Sequence, residues 1–158
     1  MKANRLFLMG LVVLITMLGS IVVNAQPQKG RAALTDRRAT QQPALSEYKG
    51  VRLGMTADEA RDKLGQPAVK GDDQDYFVFS ETETAQVAYD QGHKVVTISI
   101  DYFNGVGAPD SQSVVGDIQP RPDGSLYKIV RRQSEGFWVS YSRTAGTVPM
   151  VTITIQKI

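Results

Sequence analysis

The feature that most limits how this chain can fold is one short helix whose start and stop are both written in the sequence. The stretch GMTADEARDKLGQP (54–67) offers Thr56 as an N-cap, and Glu59 three residues later completes a capping box. Gly65, with a proline two residues beyond it, provides a left-handed stop. The pattern predicts a helix over 57–64, which is too short to be stable alone and must pack on an apolar surface.

The spacing within this helix predicts one buried face and one exposed face. Residues three and four apart share a face, so we expect an apolar side made of Ala57, Ala60 and Leu64. The opposite side, which we expect to face water, consists of Asp58, Arg61 and Asp62.

Strands supply the apolar surface that the helix needs. Six stretches are rich in β-branched and aromatic residues, and turn signals with short spacings between them predict antiparallel hairpins. Residues 103–124 hold several glycines and prolines and are predicted to form one long irregular connection. The predicted strands are 75–80, 85–90, 94–102, 125–132, 136–142 and 148–156.

Two of these strands alternate clearly, which predicts a sheet with one apolar face and one wet, hydroxyl-lined face. The fold class expected is therefore α+β, with a short N-terminal helix packed on an antiparallel sheet that continues into extra C-terminal strands. The apolar set is Val96, Ile98 and Ile100 with Val151, Ile153 and Ile155, and the polar set is Thr97 and Ser99 with Thr152, Thr154 and Gln156.

The first 25 residues have the pattern of a secretory signal peptide. Lys2 and Arg5 precede an uncharged run, and small residues ending at Ala25 predict cleavage before Gln26. The alternative is an uncleaved anchor, since the uncharged run approaches the length of a membrane span. The chain contains no cysteine, and a bacterial lipid anchor requires one. We therefore expect a periplasmic or secreted protein.

Residues 26–46 are rich in Gln, Ala, Pro and basic side chains and predict a flexible basic linker before a single domain over 47–158. The alternative role for this linker is weak peripheral contact with an anionic membrane. The residues that would make this contact are Lys29, Arg31, Arg37 and Arg38.

The net charge argues against a nucleic-acid partner. The chain has 18 basic and 16 acidic residues, but Lys2 and Arg5 belong to the signal segment, so 16 of each remain. The linker carries a local excess of positive charge, which leaves the domain slightly acidic. An acidic domain binds phosphates poorly.

The helix and the strands after it resemble the SmpA/OmlA family, small envelope proteins that accompany the outer-membrane β-barrel assembly machine. The resemblance covers about residues 50–101 and implies a helix-on-sheet fold shared with β-lactamase-inhibitor-protein-like domains. The matching positions are Gly54, Met55, Thr56, Glu59, Leu64, Gly65 and Pro67, followed by Tyr76, Val78 and Phe79.

Three features depart from that family. Its lipid-carrying cysteine is missing, residues 44–53 have little helical character where the family has its first helix, and residues 104–158 extend past its usual end. The shared fold is therefore expected more than a shared role in the assembly machine.

Candidate chemical sites are few. His93, the single histidine, lies in a predicted hairpin turn and cannot form a zinc site alone. Asp101, Asn104 and Asp110 surround a Gly-rich loop that either binds calcium or forms ordinary turns. The acidic run Asp72, Asp73 and Asp75 is expected to be a solvated loop rather than an acid–base pair. No cofactor is expected.

The strand 136–142 carries the strongest candidate for a binding surface. Phe137, Val139 and Tyr141 alternate with Trp138, Ser140 and Ser142, so either set could face the core. If Trp138 faces outward, it is a good anchor for a partner, and neighbouring strands add further side chains. The candidate binding set is Arg131, Trp138, Ser140, Thr152 and Thr154.

These features together favour a non-catalytic protein-binding module of the bacterial envelope whose partner is another envelope or secreted protein. The alternative is an inhibitor of a secreted enzyme, as in the β-lactamase-inhibitor proteins, and an enzyme comes third.

The N-terminal pattern gives a direct test. We expect the protein isolated from cells to begin at Gln26 and to be released by osmotic shock, because the small-residue site precedes that position. Mass spectrometry measures the terminus. A membrane-bound protein that retains residues 1–25 would establish the anchor instead.

Overall fold

The computed structural model describes residues 45–158. The expectations for the signal peptide, for the linker and for its four basic residues lie outside this part of the chain. Within 45–158, no helix combines the length and the apolar composition needed to cross a bilayer. The elements are β1 (Glu47–Tyr48), β2 (Val51–Arg52), α1 (Ala57–Leu64), β3 (Val69–Lys70), β4 (Gln74–Val78), β5 (Glu83–Tyr89), β6 (Val95–Tyr102), α2 (Ser111–Val115), β7 (Leu126–Arg132), β8 (Phe137–Arg143) and β9 (Val151–Lys157).

Seven of the described strands form one antiparallel sheet in the order β3-β4-β5-β6-β9-β8-β7, and β1 pairs with β2 in a separate hairpin. The last strand, β9, lies between β6 and β8, so it joins the two halves of the domain into a single sheet. The α+β class with an antiparallel sheet is confirmed. The six predicted strands correspond to β4 through β9.

The helix α1 has the bounds that the sequence predicts, and its capping box is formed. The amide of Glu59 donates to Oγ1 of Thr56 at 3.1 Å, and the amide of Thr56 donates to Oε2 of Glu59 at 2.7 Å. Gly65 ends the helix at φ 87°, a conformation that suits glycine. The backbone hydrogen bond from Thr56 lowers the pKa of Glu59, which keeps the carboxylate ionised as the cap requires.

On the side of α1 that was predicted to face water, Asp58 and Asp62 are exposed as expected, but the prediction is wrong for Arg61. Ala57 and Ala60 are buried as expected, and Leu64 is partly buried against the core. Arg61, however, turns toward the sheet and not toward water, and it binds Asp75 of β4 through two hydrogen bonds: Nε to Oδ2 at 2.8 Å and Nη2 to Oδ1 at 3.2 Å.

Asp75 is fully buried, so the prediction of a solvated acidic loop is wrong at this position. The reason is that β4 begins at Gln74, and strand alternation places Asp75 on the same side as buried Phe77. Besides Arg61, the carboxylate accepts from the hydroxyl of Tyr89 at 2.7 Å and from the amide of Gly71 at 3.2 Å. Every polar contact that a buried carboxylate needs is supplied within the domain.

The electrostatics of this cluster favour the ion pair. Burial raises the pKa of Asp75, but the hydrogen bonds from Arg61, Tyr89 and Gly71 outweigh burial, and the pKa falls below its ordinary value. Burial and the nearby carboxylate raise the pKa of Tyr89. Near neutral pH the cluster therefore holds a carboxylate, a guanidinium and a neutral phenol.

The core of β6 begins one residue earlier than predicted. Val95 is fully buried, whereas Val96 is only half-buried, so the assignment of Val96 to the apolar face is wrong. A β-bulge causes the shift: Ala88 pairs with Thr97, but Tyr89 pairs with Val95, which leaves Val96 without a partner. Beyond the bulge the predicted alternation of β6 is confirmed.

The long connection is more ordered than the sequence predicts. It contains a 3-10 turn at Phe103–Gly105 and the helix α2, which were both missed. Asp110 caps α2 by accepting from the amide of Ser113 at 2.9 Å, and Val114 and Val115 at the end of α2 are buried in the core. These two valines close the core beneath β8.

The stretch before α1 forms a tight hairpin instead of a helix, as its weak helical character predicted. Lys49 and Gly50 both have positive φ, 46° and 81°, as a two-residue hairpin turn requires. Tyr48 and Val51 are buried, and the hydroxyl of Tyr48 donates to Glu83 of β5 at 2.8 Å. The hairpin thereby covers one end of the core.

The buried ion pair should dominate the stability of the helix–sheet contact. We expect Asp75→Asn to cost roughly 3–5 kcal/mol of unfolding free energy, because it removes the buried charge partner of Arg61 and leaves that arginine only the exposed Asp58. Asp58→Asn is the matched control, since Asp58 binds the same arginine at 3.2 Å but is exposed to solvent. It should cost less than about 1 kcal/mol in the same denaturant titration. Equal effects of the two substitutions would contradict the importance of burial.

The same cluster gives a pH test with a definite sign. Because the pKa of Asp75 is lower in the folded state, its stabilisation is present above the unfolded pKa and is lost as the pH falls through the folded pKa. We expect the stability difference between the wild type and Asp75→Asn to be constant near neutrality and to shrink in acid below about pH 4. Denaturant titrations at several pH values measure it, and a difference that persists unchanged into acid would contradict an ionised Asp75.

Candidate functional site

The large sheet has one face turned to the core and one turned outward. Along β6, β8 and β9, alternate residues such as Ile98, Val139 and Ile153 are fully buried. The residues between them point the other way. We call this second surface the outer face, and its members on four neighbouring strands are Thr97, Ser99, Asp101, Thr152, Thr154, Gln156, Trp138, Ser140, Ser142, Tyr127, Ile129 and Arg131.

Strand register brings the five candidate residues together, as the sequence proposed. Trp138 lies between Arg131 of β7 and Gln156 of β9. Residues directly opposite one another on neighbouring strands form a row across the outer face, and Trp138 lies in the first row. Ser140 lies next to Thr154 in the second row, and Thr152 lies in the third, next to Ser142. All five therefore share one face of three adjacent strands.

Trp138 is on the outer face, and the alternative that placed it in the core is wrong. Its neighbours along β8, Phe137 and Val139, are buried on the other side of the sheet. The indole itself is half-buried, and Arg131 beside it is exposed. A partly exposed aromatic ring next to an exposed guanidinium is a typical anchor for a partner.

Ser140 is placed differently from what a contact residue needs. Only 8% of its surface is exposed, although it points to the outer face. Its cross-strand neighbours Ile129 and Thr154 are larger and shield it. Ser140 can therefore add little contact area, and Trp138 and Arg131 provide most of what the five candidates offer.

The two threonines of the candidate set are already engaged in hydrogen bonds within the sheet. Thr152 donates to Oδ1 of Asp101 at 2.6 Å, and the hydroxyls of Thr154 and Ser99 lie 3.2 Å apart. These cross-strand pairs stabilise the register of β6 and β9. They also present a polar surface whose side chains are held in place before any partner arrives.

Sequence reasoning missed two apolar members of the outer face. Tyr127 is 46% exposed and Ile129 is 37% exposed, both on β7. The guanidinium of Arg121 lies 5.1 Å from the centre of the Tyr127 ring. The signal was the alternation within 125–132, but both sets of that strand contain apolar residues, so composition alone did not separate its faces.

A separate cleft of about 340 Å³ lies between the β1–β2 hairpin and the turn that joins β7 to β8. Its one carboxylate, Glu135, pairs with Arg132 at 3.7 Å, so the lining offers no pair of carboxylates for acid–base chemistry. The lining residues are Ser46, Arg52, Leu53, Gly54, Glu135, Gly136, Phe137 and Lys157.

The other candidate sites resolve into turns and caps. His93 is exposed in the β5–β6 turn at φ 54°. Asp101 accepts from Thr152 and Asp110 caps α2, so the two carboxylates proposed for calcium have other roles. Within residues 45–158, no group of three or more His, Cys, Asp or Glu side chains is placed to hold a metal ion.

Comparisons of the chain with family models, with curated proteins and with solved structures found no match. The resemblance to the SmpA/OmlA family therefore stays a prediction from the sequence.

The outward position of Trp138 gives a stability test with an internal control. We expect Trp138→Ala to cost about 1–2 kcal/mol, because the ring is only half-buried. Phe137→Ala, one residue away on the core side, should cost about 3–5 kcal/mol. Denaturant titration followed by circular dichroism measures both. If Trp138→Ala lowered the unfolding free energy as much as Phe137→Ala, the indole would have to be a core residue, which would contradict its position on the outer face.

Proposed function

We propose that this chain is an exported, non-catalytic protein-binding module of the bacterial envelope and that it binds its partner through the outer face. The observation that carries the proposal is the grouping of half-buried Trp138, exposed Arg131 and the exposed apolar side chains of Tyr127 and Ile129 on two adjacent strands. Tryptophan, tyrosine and arginine are the residues that dominate protein–protein binding energies.

The rigidity of this surface supports the same proposal. Strands hold their side chains more firmly than loops do, and the hydrogen bonds of Thr152 and Thr154 fix the neighbouring rows. A surface that is ordered before binding loses less conformational entropy when a partner arrives. The polar rows would then form the rim around the Trp138 and Arg131 anchors.

We include in the proposal that the protein is not an enzyme, because its buried ionisable groups bind one another. Asp75, Arg61 and Tyr89 are the groups that an enzyme would perturb for chemistry. Here they bind each other and fasten α1 to the sheet. Their perturbed pKa values have a structural cause.

Export and family resemblance set the proposed location. The signal pattern favours the periplasm or the exterior, and the helix motif with its antiparallel strands supports a fold like that of the SmpA/OmlA proteins. Trp138 and Arg131 lie beyond residues 50–101, in the part that departs from the family. We therefore propose a partner particular to this chain, an envelope or secreted protein.

One observation favours the alternative of a secreted-enzyme inhibitor. Apolar side chains are exposed in loops at one end of the sheet, where Val148 is 70% exposed and Phe103, Val106 and Met150 are also exposed. Exposed apolar side chains grouped in loops suit contact with the largely apolar cleft of an enzyme. The two proposals therefore use different surfaces, and substitutions can separate them.

The test uses one pair of substitutions on each surface. The outer-face variant carries Trp138→Ala with Arg131→Ala, and the loop variant carries Phe103→Ala with Val148→Ala. The partner is first identified by chemical cross-linking in intact cells and purified. We expect the outer-face variant to weaken its binding by about 30-fold or more, which corresponds to about 2 kcal/mol.

The loop variant should bind within about twofold of the wild type, since its residues lie outside the proposed interface. Circular dichroism must show that both variants are folded. The reverse pattern, with binding lost only in the loop variant, would contradict binding through the outer face and would support the enzyme-inhibitor alternative.

A further inference from the structure

The sheet ends in two edges of very different length. At one edge lies β3, which has only two residues, and at the other lies β7, which has seven. Among the described residues, β8 is the strand that pairs with β7. An edge strand presents alternate N–H and C=O groups that can accept another strand.

The charges on β7 restrict which strand can pair with it. Lys128, Arg131 and Arg132 lie within its seven residues. Like charges placed directly opposite one another on antiparallel strands are unfavourable. Basic residues on an edge therefore suppress unregistered aggregation, and they favour those pairings in which each cation meets an uncharged or an acidic residue. In a pairing of two β7 strands, which contain no acidic residue, each cation must meet an uncharged residue.

A second β7 strand can meet this condition in one register. A twofold axis normal to the sheet keeps both outer faces on the same side, so it must pass through a residue that pairs with its own copy. An axis at Lys128 or Arg131 sets that cation against itself. An axis at Val130 sets Lys128 against Arg132, and an axis at Tyr127 leaves four of the seven residues of β7 outside the pairing.

An axis at Ile129 satisfies all seven residues. Ile129 then meets its own copy, Lys128 meets Val130, and Arg131 meets Tyr127. Arg132, at the end of the strand, meets Leu126. On the outer face this places an exposed isoleucine pair at the centre, with a guanidinium next to a tyrosine ring on each side, an arrangement that favours cation–π contact.

We infer that a second copy of this chain pairs with the edge of β7 about a twofold axis at Ile129, which joins two sheets into one continuous sheet. The row that contains Trp138 and Arg131 then continues into Tyr127 of the second copy. The inference does not depend on the proposed envelope partner, because it concerns the edge of the sheet and needs only this chain.

Salt should strengthen this dimer. Each copy brings the three β7 cations and Arg121, which lies over the Tyr127 ring, against the carboxylates of Glu135, paired with Arg132, and Asp123, close to Arg121. Two edges with an excess of positive charge therefore approach each other. Raising NaCl from about 0.05 to about 0.5 M screens this repulsion. An acidic strand from a different protein would show the opposite dependence, because salt weakens attraction between unlike charges.

The chain contains no cysteine, so engineered cysteines report the register without interference. We expect Ile129→Cys, in the chain as the cell processes and exports it, to form a disulfide dimer under mild oxidation, since opposite Cα atoms in a sheet lie about 4.5–5.5 Å apart. Tyr127→Cys and Arg131→Cys should each form little dimer alone and should form a mixed dimer together. Val69→Cys, exposed at the β3 edge, is the matched control.

Sedimentation of the cysteine-free chain supplies an independent readout. We expect a dimer whose fraction rises with protein and with salt concentration. Ile129→Lys should abolish it by setting like charges on the axis, whereas Val69→Lys should leave it unchanged. Circular dichroism checks that both variants are folded.

The inference is overturned if the chain stays monomeric at all concentrations, or if Ile129→Cys forms no more disulfide dimer than Val69→Cys. It is also overturned if the cysteines at 127, 129 and 131 cross-link equally well alone, because that pattern has no register. A dimer that dissociates as salt is added would contradict the pairing of two basic edges.

Discussion

The hydrogen-bonded ion pair between Arg61 and Asp75 is the contact on which the arrangement of this domain depends. The helix α1 has eight residues, and a helix of that length does not persist alone. Ala57 and Ala60 add only small apolar contacts, so the hydrogen bonds of the Arg61 guanidinium fix the orientation of α1 on the sheet. Tyr89 donates to the same carboxylate and sits at the β-bulge, which links the position of the helix to the register of β5 and β6.

Fastening the helix to one side of the sheet leaves the outer face for other uses. The strand β9 makes this face continuous, because it lies between β6 and β8 and aligns their outward residues. Trp138 and Arg131 thereby come next to the hydroxyl rows that begin on the N-terminal strands. A binding surface assembled from both halves of the domain requires the whole sheet to form first.

Structural features that depend on residues close in sequence could be predicted, whereas features that depend on contacts between distant residues were missed. The bounds of α1 and the alternation of β8 and β9 follow from neighbours within a few residues. The pairing of Arg61 with Asp75 spans 14 positions, and no local pattern distinguishes it from two exposed charges. Similarly, the shielding of Ser140 depends on Ile129 and Thr154, which only strand register brings beside it.

The central claim is that Trp138 stands on an outer face that solvent and a partner can reach. It is the single tryptophan of the chain, so its fluorescence reports on that face alone. Acrylamide quenching of the folded protein measures the access directly. For a half-buried indole we expect acrylamide to quench the emission and the maximum to lie between those of a core indole and a water-exposed one. A blue emission that acrylamide does not quench would contradict the outer-face assignment.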